Sequence, residues 1–172
     1  MSMNIVLIGF MGAGKSSIGR ILAETLGYKY LDTDTLIEAE QGCTISDIFF
    51  YAGEEFLRKQ ETLTLHKLRG SKKVVLATGG GIVMAKGNME LLKEIGRVYY
   101  LNAPPELLYQ RLKNSTNRPL IDGAEDKEKE ILQLHTQRDP FYKQADVIVE
   151  ISDNQKHQVV NIISNDIKKY SR

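Results

Sequence analysis

The chain has 172 residues, 42% hydrophobic and 26% charged, which suits one globular domain with a sizeable core. A formal net charge of +1 excludes a strong field that would recruit nucleic acid or an anionic membrane, so neither is an expected partner. The single cysteine, Cys43, excludes an internal disulfide and fits a reducing compartment.

Apolar runs alternate with amphipathic stretches of helix length. Asn4 to Ile8 reads as a buried strand and Lys15 to Leu26 as a helix, with Ile18, Ile21, Leu22 and Leu26 on one side and Gly27 ending it. A short strand is expected over Tyr28 to Leu31 and a helix over Thr33 to Glu40. Ile45 to Arg69 should hold a short helix and then a longer one starting near Gly53. Val74 to Thr78 is a further strand, ended by Gly79-Gly80-Gly81. Met89 to Glu94 reads as a helix, Arg97 to Leu101 as a strand, and Pro104 to Asn114 as a helix with proline near its start. Glu125 to Ala145 carries a helix interrupted or ended near Pro140. A last strand, Val147 to Ile151, and a last helix, Gln155 to Lys169, close the chain. This alternation predicts a parallel sheet covered on both faces.

One segment stands apart. Asn114 to Lys127 is polar, charged and rich in small residues, which marks it as the candidate for a mobile lid. No apolar run is long enough to span a bilayer. The stretch Met1 to Phe10 lacks the positive n-region of a signal peptide and runs straight into a glycine loop. A cytoplasmic location is expected.

Gly9-Phe-Met-Gly-Ala-Gly-Lys15-Ser16 matches G-x-x-x-x-G-K-[ST] between an apolar strand and an amphipathic helix. Glycines let successive N–H groups point at phosphate oxygens, and the following helix adds its positive end. Lys15 has the reach for the β- and γ-phosphates, and Ser16 has a hydroxyl for magnesium. The motif therefore predicts a nucleoside triphosphate with Mg2+ as ligand; the bland alternative is an ordinary glycine turn.

A nucleotide switch and a small-molecule kinase both use such a loop. A guanine-reading N-K-x-D motif is missing after the Arg97 and Val147 strands, and a motor-type ATPase needs a longer chain. A kinase needs an acceptor site, for which candidates exist. Asp32 and Asp34, at a strand end, are expected to point in opposite directions. One would hold magnesium or its water shell and the other would orient an acceptor hydroxyl; the alternative is a helix N-cap. Arg58 has Glu54 four residues before it and Glu61 three after it, so it is either part of a solvated charged face or an arginine held ready to grip an anion. Gly79-Gly80-Gly81 permits close approach of backbone to a ligand at the carboxyl end of a strand. That strand lacks a terminal acidic residue, which leaves Asp32 as the candidate for help with magnesium.

Together these blocks resemble the shikimate kinase family. The shared features are the loop continuing through Ser17-Ile-Gly-Arg20, the Asp32-x-Asp34 pair, Gly53-Glu54…Arg58…Glu61, Thr78-Gly-Gly-Gly81, Arg118-Pro119-Leu120 and Arg138…Tyr142…Ala145. The resemblance covers almost the whole chain. It implies a single kinase domain over 1–172 of three-layer P-loop NTPase type, with a five-stranded parallel sheet in the order 2-3-1-4-5, substrate-binding helices within about 32–69 and a lid at about 114–127. It also implies transfer of the γ-phosphoryl of ATP to the 3-hydroxyl of shikimate, by a monomer, on the route to aromatic amino acids. In that reading Lys15, Asp34 and Arg118 are catalytic. ATP would be held by Gly12, Ala13, Gly14, Lys15, Ser16 and Ser17, together with Arg111, Arg118, Asn154 and Gln155. Shikimate would be held by Asp34, Arg58, Gly80, Gly81 and Arg138. Ser16 would bind Mg2+ directly and Asp32 through water.

Leu57 departs from the family's usual phenylalanine before the substrate arginine, with Phe56 one position earlier. Another small-molecule kinase, for gluconate or a nucleoside monophosphate, is the runner-up; a non-catalytic nucleotide-binding switch is the other alternative. His66, His135 and His157 lack metal-ligand spacing. Cys43 reads as structural, and Ile162, Ile163 and Ile167 read as core packing.

Overall fold

A computed structural model describes residues 3–116, 119–153 and 155–170. The chain runs β1 (Ile5–Ile8), α1 (Lys15–Leu26), β2 (Lys29–Asp32), α2 (Thr33–Gln41), α3 (Ile45–Leu68), β3 (Val74–Ala77), a 3-10 turn (Ile82–Met84), α4 (Asn88–Ile95), β4 (Arg97–Asn102), α5 (Pro105–Leu112), α6 (Lys127–Tyr142), β5 (Val147–Glu150) and α7 (Lys156–Tyr170). The strands form one sheet in the order β2-β3-β1-β4-β5, with every pairing parallel. This is the expected fold and strand order.

Burial follows position in the sheet. β1 is central and wholly buried, as is β3 beside it. The edges are less apolar: β2 reads Lys-Tyr-Leu-Asp without a buried residue, and Ile148 of β5 is exposed. The continuous apolar pattern therefore holds for central strands and fails at the edges, where one side meets solvent. Ile163 and Ile167 of α7 are buried, but Ile162 is 51% exposed; it lies off the face that Val160, Ile163 and Ile167 share. Cys43 is exposed just beyond the α2 cap, which corrects its structural assignment.

Two helices carry distortions with clear causes. The Ile45–Leu68 stretch is two helices meeting at Gly53, whose φ of 83° and ψ of 168° are not helical. The first begins with a capping box in which Thr44 and Asp47 satisfy each other's backbone N–H. α6 passes through Pro140 and ends two residues later at Tyr142. The ring removes one donor from the last turn but does not end the helix at once.

The lid candidate is less polar than its composition suggests. Ile121 is fully buried in the main core, and Leu120 packs against it. Lys127 Nζ donates to the Ser115 carbonyl at 3.0 Å and faces Asp122 Oδ1 at 3.6 Å, so one cation ties both sides of the segment.

Candidate functional site

The loop between β1 and α1 lies over the carboxyl ends of the central strands. Gly14 takes φ of 98° at the mouth of α1, a conformation that suits glycine and turns the loop into the helix. Lys15 is 8% exposed, and its ammonium donates to the carbonyls of Gly9 at 2.7 Å and Phe10 at 2.9 Å. Arg111 of α5 donates to the Gly12 carbonyl at 2.9 Å, and its other nitrogen lies 3.5 Å from Asp153. One guanidinium thus joins the loop to the β5–α7 connection. Around this loop opens a cavity of about 1020 Å³.

Asp32 ends β2, next to Ala77 of β3. Its carboxylate does several things at once. Oδ1 caps α2 by accepting from the Asp34 N–H at 3.0 Å. Oδ2 accepts from Ser16 Oγ at 3.1 Å and from the Tyr30 hydroxyl at 2.9 Å. The N-cap alternative is therefore correct for Asp32, and it coexists with contact to Ser16. Asp34 diverges from Asp32 for a reason other than the expected one. Strand alternation would put residues two apart on the same face; here α2 begins at Thr33, and the helical turn carries Asp34 away. Ser16 and Asp32 offer hard oxygen donors side by side. Their chemistry fits Mg2+, for which phosphate oxygens and water would supply the other ligands.

A second cavity, of about 440 Å³, is walled by α2, both halves of α3, the glycine turn and α6. Arg58 is clamped inside it. Its Nη1 donates to Glu61 at 2.6 Å, and Nε and Nη2 donate to Glu54 at 3.2 and 2.9 Å. Glu61 is 2% exposed. Burial pushes its carboxyl up to about 7 against the pull of Arg58. Burial alone would lower the Arg58 pKa, but Glu61 and Glu54 together outweigh it and raise it. Arg138 is 3% exposed and lies 5.6 Å from the Phe10 ring centre. That ring also meets His135 at 5.8 Å, and burial pulls the His135 pKa down.

The glycine turn makes this crowding possible. A Cβ on Gly79 would come within 2.6 Å of Asp34 Oδ1 and 2.9 Å of Glu61 Oε1. A Cβ on Gly81 would overlap the Arg58 guanidinium. The turn is pinned on two sides: Gly79 N–H donates to Thr33 Oγ1 at 2.9 Å, and the Tyr142 hydroxyl donates to the Gly80 carbonyl. Tyr142 stacks on Tyr100 at 5.0 Å, and burial pushes its phenol up to about 12. Neither pin is legible from the sequence, because each joins distant elements.

The two cavities share a wall. Met11, Asp34, Gly79 and Gly80 line both, so a group in one lies next to a group in the other. The family model described as Shikimate kinase matches residues 11–168. This chain belongs to the shikimate kinase family. A shikimate kinase of Persephonella marina is 40% identical over 165 residues, covering 96% of this chain and 99% of the relative. A solved shikimate kinase from Acinetobacter baumannii, in complex with shikimate, superposes with a TM-score of 0.92 at 41% identity, covering 98% of this chain and 94% of the other. A gluconokinase from Sinorhizobium meliloti reaches a TM-score of 0.57 at 17% identity over 99% of this chain and 98% of its own, a likeness of fold alone.

Of the residues expected from the shikimate kinase resemblance, Asp34 and Gly80 line both cavities and the other described ones line one or the other. Gly12, Ala13, Gly14, Lys15, Ser16 and Ser17 line the larger, as do Asp32, Arg111 and Gln155. Arg58, Gly81 and Arg138 line the smaller. Arg118 and Asn154 lie outside the described residues. Leu57 is buried and lines the smaller cavity, while Phe56 packs among Ile37, Ile48 and Leu57 in a separate apolar cluster. Sequence reasoning missed Glu38, Thr44, Ser46 and Phe49, which also line the smaller cavity. None lies in a ligand-binding motif; Glu38 comes from α2, and Thr44, Ser46 and Phe49 come from the start of α3.

Proposed function

We propose that this chain is an ATP-dependent phosphotransferase in which the larger cavity takes ATP, the smaller takes shikimate, and the γ-phosphoryl group passes across the shared wall to the 3-hydroxyl. The carrying observation is that wall: Asp34 and Gly80 face both cavities, with the phosphate loop on one side and Arg58 with Arg138 on the other. Phosphoryl transfer is mostly positioning and charge stabilisation, and the site is built for both.

Each residue then has a role. Asp34 orients the acceptor hydroxyl and takes its proton. Arg58 and Arg138, two cations lining a small cavity, grip the substrate carboxylate, with Gly80 and Gly81 backbone closing on the ring. Lys15 leaves the Gly9 and Phe10 carbonyls to meet the β- and γ-phosphate oxygens. Arg118 completes the charge on the transferring group from the lid, and Gly12 to Ser17 cradle the phosphates. Arg111, Asn154 and Gln155 enclose the adenine. Magnesium, when bound, would neutralise charge on the phosphate oxygens; Ser16 would hold it directly and Asp32 through water.

In this reading 1–172 is a single kinase domain that acts as a monomer. No helix among the described residues is long and apolar enough to cross a membrane. The exposed lone thiol supports a cytoplasmic setting.

The test is ADP release by purified protein with MgATP. Release that depends on shikimate is expected. Turnover with gluconate or AMP and none with shikimate overturns the reading.

A further inference from the structure

We propose that Tyr30 is a positioning residue for the magnesium end of this site, acting through Asp32. The inference rests on the reading that Ser16 and Asp32 hold the cation.

Tyr30 and Asp32 stand two apart on β2, so their side chains share a face. The Tyr30 hydroxyl donates to Asp32 Oδ2 at 2.9 Å, and Ser16 Oγ donates to the same oxygen at 3.1 Å. With the Asp34 N–H on Oδ1 at 3.0 Å, three donors from three directions hold one carboxylate. Both of its oxygens are engaged, so the group does not rotate. With its hydrogen donated to Asp32, the Ser16 hydroxyl keeps lone-pair capacity for a metal ion.

The ring itself is held for this task. Gly19 of α1 faces it: a Cβ there would come within 2.8 Å of Tyr30 Cε2. Glycine is a poor residue inside a helix, and here its lack of a side chain gives the ring room. The Arg20 guanidinium carbon lies 4.6 Å from the ring centre. Packing alone would be served by any apolar side chain of that size. Only the hydroxyl supplies Asp32 with its third donor. Tyr30 lines neither cavity, so it acts through Asp32 and touches no substrate.

The test uses the full chain and Mn2+ as the probe, with ADP present and binding read by electron paramagnetic resonance. Tyr30→Phe keeps the ring and should weaken Mn2+ binding about tenfold, the low end for losing an outer hydrogen bond to a metal ligand. KM for MgATP should rise, while KM for shikimate and Tm stay unchanged. Tyr30→Leu should weaken Mn2+ binding to the same extent. Unchanged Mn2+ affinity in Tyr30→Phe overturns the proposal, as does an equal rise in both KM values. A loss seen only in Tyr30→Leu overturns it too, since packing would then be the cause. Asp32→Asn separates the two levels. If it leaves Mn2+ affinity unchanged, the metal reading fails and this inference falls with it. If it weakens binding while Tyr30→Phe does not, the Tyr30 role alone fails.

Discussion

Arg58 shows how little a residue's identity says before its neighbours are known. On the sequence, Glu54 and Glu61 made it equally a solvated face or a prepared clamp. The structure separates the two carboxylates: Glu54 is half exposed, whereas Glu61 is buried and bonded to Arg58 at 2.6 Å. A half-buried arginine fixed by a buried acid and lining a cavity is a clamp. Arg58→Ala should raise KM for shikimate about 10- to 100-fold, the scale of one charge-assisted hydrogen bond, and leave KM for ATP little changed. Steady-state kinetics check this, and equal rises in both would contradict the role. Glu61 makes a pH prediction. Its folded pKa of about 7 lies above the ordinary 4.5, so the folded state favours the protonated form. The stabilisation is complete below 4.5 and is lost as pH rises through about 7. Denaturant titrations should show stability falling with pH across that window, and Glu61→Gln should flatten the slope. A wild-type slope unchanged by the substitution would refute the assignment.

Among the elements, the Ile45–Leu68 pair of helices does most to shape the acceptor side. Its bend at Gly53 carries Phe49 and Ser46 to one wall of the smaller cavity and Leu57, Arg58 and Glu61 to another. A Cβ at Gly53 would meet no atom within 4 Å, so a substitution there acts through the backbone alone. Gly53→Ala should cost about 1–3 kcal/mol, the range for a side chain forced into such a conformation, and should also raise KM for shikimate as the two halves shift. Chemical denaturation and kinetics on the same variant check both effects; a neutral outcome would mean the bend tolerates helical geometry. The sequence did mark this break, because glycine stands between two amphipathic runs. It did not show the anchoring of the lid segment by Ile121, since one isoleucine among polar residues gives no periodic signal.

For the molecule as a whole, two ligands on either side of one wall should each stabilise the fold by linkage. At a hundredfold excess over its Kd, shikimate should add about 2.7 kcal/mol and raise Tm by roughly 5–10 °C. Differential scanning fluorimetry checks this; an equal shift with gluconate would count against the acceptor assignment. The sequence by itself determined the helix and strand order, the phosphate loop and the pairing of acidic and basic motifs, because these depend on local spacing and hydrophobic period. It erred where solvent exposure decides, at Ile162 and Cys43, and in the reason Asp32 and Asp34 diverge. The tertiary structure alone decided what meets across distance. It brought Asp32 to Ser16, set Tyr142 and Thr33 on the glycine turn, and closed two cavities on one wall. Those contacts join strands and helices far apart in the chain, and only the packing of a parallel sheet brings their carboxyl ends together.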